Sequence, residues 1–256
     1  MRSWTIALAV AAMAAPSFAA APPCAGDIEI ADAHIMRVEK NGVLVMTDGR
    51  ALKLEGIRLP AGPADRAPQA LAERAFAELE SLAKGARLDA RATWPKEDRY
   101  DRVRGQIFTR DGTWLQLDLL KKGLARVELL PDRGECNLEL YAAEAEAHKA
   151  GAGLWADPAY ATRRADQIAA DVGTFQLVIG RVAKSFSTQE NGIVLVLGPD
   201  PQRDLTVRIS ADDVKRFKWL GVDPLNYDGK LIRVRGVVQP GPSIAVGNPR
   251  QIELLQ

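Results

Sequence analysis

The chain has 256 residues, with 34 lysines and arginines against 33 aspartates and glutamates, and a formal net charge of +1. A balance this close to zero excludes binding of nucleic acid by bulk electrostatics alone, so any surface for a polyanion must be local. Residues 21–172 carry −3 and residues 173–256 carry +3, which favours the C-terminal part for such a surface. His34 and His148, too few and too far apart, do not suggest a metal centre, and no nucleophilic constellation is evident.

Residues 1–20 read as a secretory signal peptide. Arg2 supplies the positive start, residues 4–15 the apolar stretch, and Ser17-Phe18-Ala19 the cleavage site, with Ala19-Ala20-Ala21 as a second choice. The apolar run is shorter than the roughly 20 residues that a bilayer core requires, and no later stretch replaces it. The expected mature protein is therefore periplasmic or secreted, without a membrane span. In an oxidising compartment Cys24 and Cys136 can pair in only one way. A bridge between them closes a loop of about a hundred residues and contributes on the order of 4 kcal/mol in the chain-entropy model. Two independent buried thiols are the alternative.

From residue 28 to 103 apolar and polar residues alternate in short runs. Residues 43–46 and 52–57 read as hairpin arms, with Asp48-Gly49 as a type I′ turn. Residues 66–83 carry Leu71, Ala75, Leu79 and Leu82 on one face, the pattern of an amphipathic helix. Strands follow at 87–94 and 102–110, then helices at 115–122 and 138–149, which stop at or before glycines. The alanine-rich, charged segment 158–172 reads as a helical linker.

Beyond it, strands are expected at 175–182, 193–198 and 205–209. A helix at 212–220 capped by Ser210 comes next, then strands at 231–238 and 251–254. Three strands, a helix and two strands is the order of an OB-fold, and residues 21–157 show it before two additional helices. The expected fold is mainly β with α (α+β): a first OB barrel with helices over 21–157, then a smaller OB-like barrel over 173–256.

Several motifs in one order carry a resemblance. They are Leu52-Lys53-Leu54-Glu55-Gly56-Ile57 before Pro60, Asp98-Arg99-Tyr100-Asp101-Arg102, Asp111-Gly112-Thr113-Trp114, Lys122-Gly123-Leu124-Ala125, and residues 142–155 ending in Gly-Leu-Trp. Over about residues 40–155 the chain resembles the staphylococcal nuclease (thermonuclease) family. The resemblance implies phosphodiester hydrolysis with one Ca²⁺, two arginines at the phosphate and a glutamate that activates water. It places Gly42 and Arg58 at the two calcium carboxylate positions, Lys53 at the first arginine, Arg102 at the second and Ala61 at the glutamate.

The resemblance also implies that Arg99 and Tyr100 match neighbouring positions that touch phosphate. With those ligands absent, no cofactor or metal is expected, and the domain reads as a pseudoenzyme. Lys53, Arg58, Arg99, Tyr100 and Arg102 become phosphate-binding candidates, against a reading of ordinary paired surface charges. Asp204-Leu205-Thr206-Val207, Arg233-Val234-Arg235-Gly236, Gly241-Pro242 and Gln251-Ile252-Glu253 resemble the C-terminal extension of some exported proteobacterial members.

Arg233 and Arg235 alternate on one strand and share a face, where Arg181 and Arg208 could join them. Trp94, Trp114, Trp155 and Trp219 are expected in cores or between domains rather than as stacking platforms, and Leu129 and Pro131 stand where some family members place base-contacting tyrosines. The expected partner is nucleic acid, another anionic polymer or a protein. The competing expectation is a divergent metal-dependent phosphodiesterase that recruits Glu55, Asp65 or Glu73 as relocated carboxylates.

Overall fold

The computed structural model describes residues 21–62, 64–200 and 204–255; the expected signal peptide, residues 1–20, lies outside them. The first unit runs β1 (Asp27–Val38), β2 (Val43–Met46), β3 (Ala51–Leu54), β4 (Ile57–Arg58), α1 (Gln69–Ala83), β5 (Arg87–Ala92), β6 (Val103–Thr109), α2 (Leu115–Lys121), β7 (Arg126–Val127) and α3 (Asn137–Lys149). Five of its strands close a barrel in the order β1-β2-β3-β6-β5, with β3 and β6 parallel. Leu44, Leu52, Leu88, Ile107, Leu115 and Leu119 fill it and the seam to the helices.

Local chemistry sets where the elements begin and break. Helix α1 starts at Gln69 rather than Arg66, because the proline at position 68 disfavours helical backbone in the residue before it. Its buried face is Ala75, Leu79 and Ala83, four residues apart. The hairpin turn between β2 and β3 differs from expectation. Only Gly49 has positive φ there (89°), and Met46 N–H bonds Arg50 C=O across a three-residue loop. That is a type I turn closed by a left-handed glycine, not a type I′ turn. The expected arm 52–57 breaks at Glu55-Gly56, so β4 leaves the barrel and pairs with β7 instead.

The second unit contains β8 (Arg163–Arg164), β9 (Phe175–Arg181), β10 (Lys184–Ser187), β11 (Ile193–Val196), β12 (Thr206–Ile209), α4 (Ala211–Trp219), β13 (Leu231–Gln239), β14 (Ser243–Ala245) and β15 (Ile252–Leu254). Ser210 caps α4 by accepting from Asp213 N–H. The strands form an eight-stranded sheet in the order β10-β11-β12-β14-β13-β9-β8, with β15 on β13.

Strand pairing among the described residues gives this unit as a sheet rather than a closed barrel, so closure of the smaller OB-like barrel expected from the sequence is not confirmed. The sequence β11-β12-β14-β13-β9, with its parallel β12–β14 step, nevertheless repeats the connectivity of the first unit. Val178, Leu195, Val207, Phe217, Ile232 and Val234 form its core. Residues 158–172 are packed rather than spacing: 3-10 turns flank β8, and Ala165 and Ile168 are buried in the second core. Their apolar side chains supply the reason.

Cys24 and Cys136 are joined in a disulfide that spans 112 residues and ties the first turn of the described chain to the start of α3. The two units meet through buried arginines. Arg126 lies between the rings of Tyr160 and Phe175 and donates to Phe175 C=O at 2.8 Å. Arg235, on β13, donates to Glu144 of α3 at 2.7 Å and to Val127 C=O at 3.1 Å. Among the described residues no helix is long and apolar enough to cross a membrane.

Candidate functional site

The break after β3 shapes a cleft of about 410 Å³ whose lining includes Lys40, Asn41, Gly42, Lys53, Arg58 and Glu128. A neighbouring cleft of about 360 Å³ shares Lys40, Ala61 and Gly62 and extends to Glu73 and Phe76 on α1. β2 and β3 present Lys53 opposite Val43, next to the 40–42 turn. Lys40 and Lys53 have no carboxylate partner among the described residues.

Gly42 has φ of 82°, and a Cβ there would stand 2.6 Å from Leu59 Cδ1. The left-handed backbone strains any side chain at this position, and the Leu59 methyl would have to move aside for one. Ala61 likewise offers no side-chain oxygen. Arg58 is the centre of the arrangement. Its Nε and terminal nitrogen reach Asp65 at 2.9–3.0 Å, and its other terminal nitrogen reaches Glu128 at 2.9 Å. Asp65 is fully buried and also accepts from Arg126 at 2.6 Å. Two carboxylates thus converge in the cleft wall, and the cation between them is a guanidinium. Burial acts first to lower the Arg58 pKa, but Asp65 and Glu128 outweigh it and hold the group above the usual arginine range.

The other carboxylates that could have supplied relocated ligands are placed elsewhere. Glu55 is buried and accepts from Arg104 Nε at 2.7 Å; burial pushes its carboxyl up, only partly offset by Arg104. Glu73 is exposed and accepts from Gln69 at 2.6 Å. Among the described residues, the one trio of candidate ligand atoms lying within 4.8 Å of one another is Cys24, Cys136 and Glu139, and both sulfurs belong to the disulfide. Calcium requires six to eight oxygen ligands with several negative charges. Gly42, Arg58 and Ala61 do not fit it.

The five phosphate-binding candidates separate into two groups. Lys53 and Arg58 line the cleft; Arg99, Tyr100 and Arg102 do not. Arg102 is held by Asp98 through Nε at 2.8 Å and a terminal nitrogen at 2.6 Å. Burial acts to raise the Asp98 pKa, but these bonds and two backbone N–H groups bring it below the usual carboxylate range. The guanidiniums of Arg99 and Arg102 lie over the Tyr100 ring, 4.9 and 4.8 Å from its centroid. Arg99 has no carboxylate partner among the described residues.

The C-terminal candidates also differ in fate. Arg235 is buried and pairs with Glu144 and Glu253, so it is closed to a ligand. Arg233 shares its face, as alternation required, and pairs with Glu253 at 2.5 Å. This face of β13 is turned toward the first unit, which explains why its arginines act as interface residues. Arg181 is exposed and donates to Gly229 C=O at 2.6 Å.

Arg208 lines a separate cleft of about 550 Å³ between the units and has no ion pair among the described residues. Two tryptophans depart from expectation: Trp94 and Trp219 are 86% and 84% exposed, whereas Trp114 is buried. Each lies in or beside a turn rather than on an element's apolar stripe. Sequence reasoning missed Glu128 and Arg126 altogether. They sit on or next to a two-residue strand, too short to leave a periodic signal.

The profile of the family described as staphylococcal nuclease homologue matches residues 51–157, the stretch from β3 to the end of the turns after α3. It includes Lys53, Arg58, Ala61 and Arg102. A search of curated proteins returns no match.

Proposed function

We propose, from a chain whose residues 51–157 are a staphylococcal-nuclease-like domain, that the cleft of the first unit binds an anionic polymer without hydrolysing it. The observation that carries this reading is the Arg58 guanidinium seated between Asp65 and Glu128, in a cleft also lined by Lys40 and Lys53, which have no carboxylate partner among the described residues. Hydrolysis of a phosphodiester at such a site needs a positioned metal or base to activate water. In this cleft the nearby carboxylates are neutralised by arginine instead.

Phosphate recognition needs less. Lysine ammonium groups beside a fixed guanidinium provide charge-assisted donors for non-bridging oxygens, and such contacts are individually strong when partly desolvated. The ligand class that matches is a phosphodiester chain or another polyanion entering at Lys40 and Lys53. Affinity should fall as salt rises, because each neutralised phosphate releases counterions.

The test is a nuclease assay on the mature protein with Ca²⁺, Mg²⁺, Mn²⁺ or EDTA, beside a gel shift across salt concentrations. The expected result is a salt-sensitive shift that EDTA leaves unchanged, with no metal-dependent cleavage. Robust metal-dependent cleavage that Arg102→Ala abolishes sinks the reading in favour of a phosphodiesterase with relocated carboxylates. Absence of any shift at low salt would point to a protein partner instead.

A further inference from the structure

At one end of the second unit the chain sorts its apolar residues unevenly. Phe217, Val222, Pro224 and Tyr227 pack inward, whereas Trp219 is 84% exposed, Leu220 48% and Leu225 39%. Helical spacing explains the first of these, because Trp219 lies two residues beyond Phe217 and so falls off the buried stripe of α4. Val222 N–H donates to Phe217 C=O at 2.9 Å and turns the chain at once into the 3-10 turn Pro224–Tyr227.

Hydrogen bonds draw the start of β10 to the same end. Val182 N–H donates to Lys230 C=O at 2.9 Å, Gly229 N–H to Val182 C=O at 2.8 Å, and Ser185 Oγ to Leu225 C=O at 2.9 Å. Lys184 and the exposed Phe186 therefore flank the 225–230 segment, with Lys184 Nζ 5.8 Å from the Phe186 ring centroid.

Charge at this end is one-sided. Lys184, Lys218 and Lys230 are exposed and have no carboxylate partner among the described residues, and Arg181 donates to Gly229 C=O. Asp223 accepts from Leu225 N–H at the start of the 3-10 turn, and Asp228 is the other acid of the segment. Asp212 and Asp213 of α4 are already paired with Lys215 and Arg216.

We propose that this end of the second unit docks on the surface of an anionic lipid bilayer, with Trp219 and Leu220 in the headgroup layer and the lysines against lipid phosphates. An indole suits that layer because its ring is apolar while its N–H still finds acceptors. Lysine stems cover apolar surface and keep their ammonium groups at the phosphates. Lysine is depleted in protein–protein interfaces, so an exposed tryptophan beside unpaired lysines matches headgroups better than a protein partner. The proposal uses no residue of the anion-binding cleft and stands apart from that reading.

The experiment sediments the full mature chain with phosphatidylcholine vesicles containing about a third phosphatidylglycerol, and with phosphatidylcholine alone. Binding should favour the anionic vesicles and fall as salt rises. Trp219→Ala should weaken it about tenfold and Lys218→Ala about fivefold, the worth of one lysine near such a surface. Trp94→Ala, which removes a comparably exposed ring from the first unit, and Lys53→Glu, in the anion-binding cleft, should bind as the wild type does. Circular dichroism melts verify that each variant folds. Lipids brominated along the acyl chain should quench wild-type fluorescence, and that quench should vanish in Trp219→Phe, which keeps a ring for docking but removes the reporter.

The proposal is overturned if anionic vesicles do not sediment the protein, if Trp219→Ala binds them as well as the wild type, or if Trp94→Ala loses as much. Loss of binding in Lys53→Glu would assign the lipid phosphates to the first cleft, overturning the proposal while supporting the anion-binding reading. A protein that dimerises through Trp219 and ignores vesicles would give this surface to a second copy and overturn it as well.

Discussion

Replacing Asp65 with asparagine separates a structural counter-charge from a relocated metal ligand. Asp65 is fully buried and takes hydrogen bonds from Arg58 and from Arg126, the latter enclosed by two aromatic rings. Asparagine keeps the shape but removes the negative charge, leaving two guanidiniums side by side with Glu128 as the one remaining carboxylate of the group. Breaking a buried ion pair by removing one partner costs about 3–5 kcal/mol. Because the amide oxygen still accepts one bond, the lower end of that range applies.

For a chain of this size such a loss lowers the melting temperature by roughly 10 °C. Melts followed by circular dichroism, in EDTA and in Ca²⁺, provide the assay. The predicted drop is the same in both, whereas Glu73→Gln, at an exposed position, should stay within about 0.5 kcal/mol of the wild type. A loss below about 1 kcal/mol, or one confined to calcium-containing buffer, would refute the reasoning.

Three further outcomes follow from the same geometry. Gly42→Asp introduces a carboxylate where the resemblance implies a calcium ligand: positive φ and the contact with Leu59 should cost about 1–2 kcal/mol in a urea melt, and calorimetry should detect no calcium binding. Lys40→Ala and Lys53→Ala should each reduce the slope of log affinity against log salt for single-stranded DNA by about 0.7. For Glu253, burial acts to raise the pKa, but bonds from Arg233 and the charge of Arg235 bring it below the ordinary value of 4.5. A depressed carboxylate stabilises the fold above its unfolded-state pKa and loses that contribution as pH falls through the folded one. Urea midpoints taken from about pH 6 down to about pH 3 should therefore fall less steeply in Glu253→Gln than in the wild type.

Much of the architecture was legible because it rests on local rules. The run 43–46, the helix that buries Ala75 and Leu79, and the Ser210 cap each follow from alternation, helical spacing or capping chemistry. The ordered motifs from Leu52 to Trp155 carried the resemblance that the profile over residues 51–157 supports. Gly42, Arg58 and Ala61 are read from the sequence directly, but the charge pairing around them is not. Arg58 meets Glu128 across 70 residues and Arg235 meets Glu144 across 91, and neither pair leaves a periodic trace. Strand alternation correctly put Arg233 and Arg235 on one face, but only tertiary packing decides that this face is covered.

That covering bears on the cleft itself, because residues 58–62 and 64–66, on and behind its wall, are held from the C-terminal side. Phe175 N–H donates to Ala64 C=O at 2.8 Å, and Arg66 reaches Val172 C=O at 3.0 Å. Arg126 links Asp65 to Phe175 C=O, while Asn248 reaches Arg133 C=O at 2.8 Å farther along the interface. A chain ending at residue 157 loses all of these partners and the ring of Phe175, and leaves Arg126 and Val127 uncovered. Each stranded buried polar group costs about 1–3 kcal/mol, a sum comparable with the stability of a whole domain. The fragment 21–157 should therefore melt well below the full chain, lose hydrogen-exchange protection first at residues 58–66, and bind oligothymidylate more weakly even where Lys40 and Lys53 are intact. A fragment with full-length melting temperature and affinity would mean that the first unit builds its cleft unaided, and that Arg58 is positioned by Asp65 and Glu128 alone.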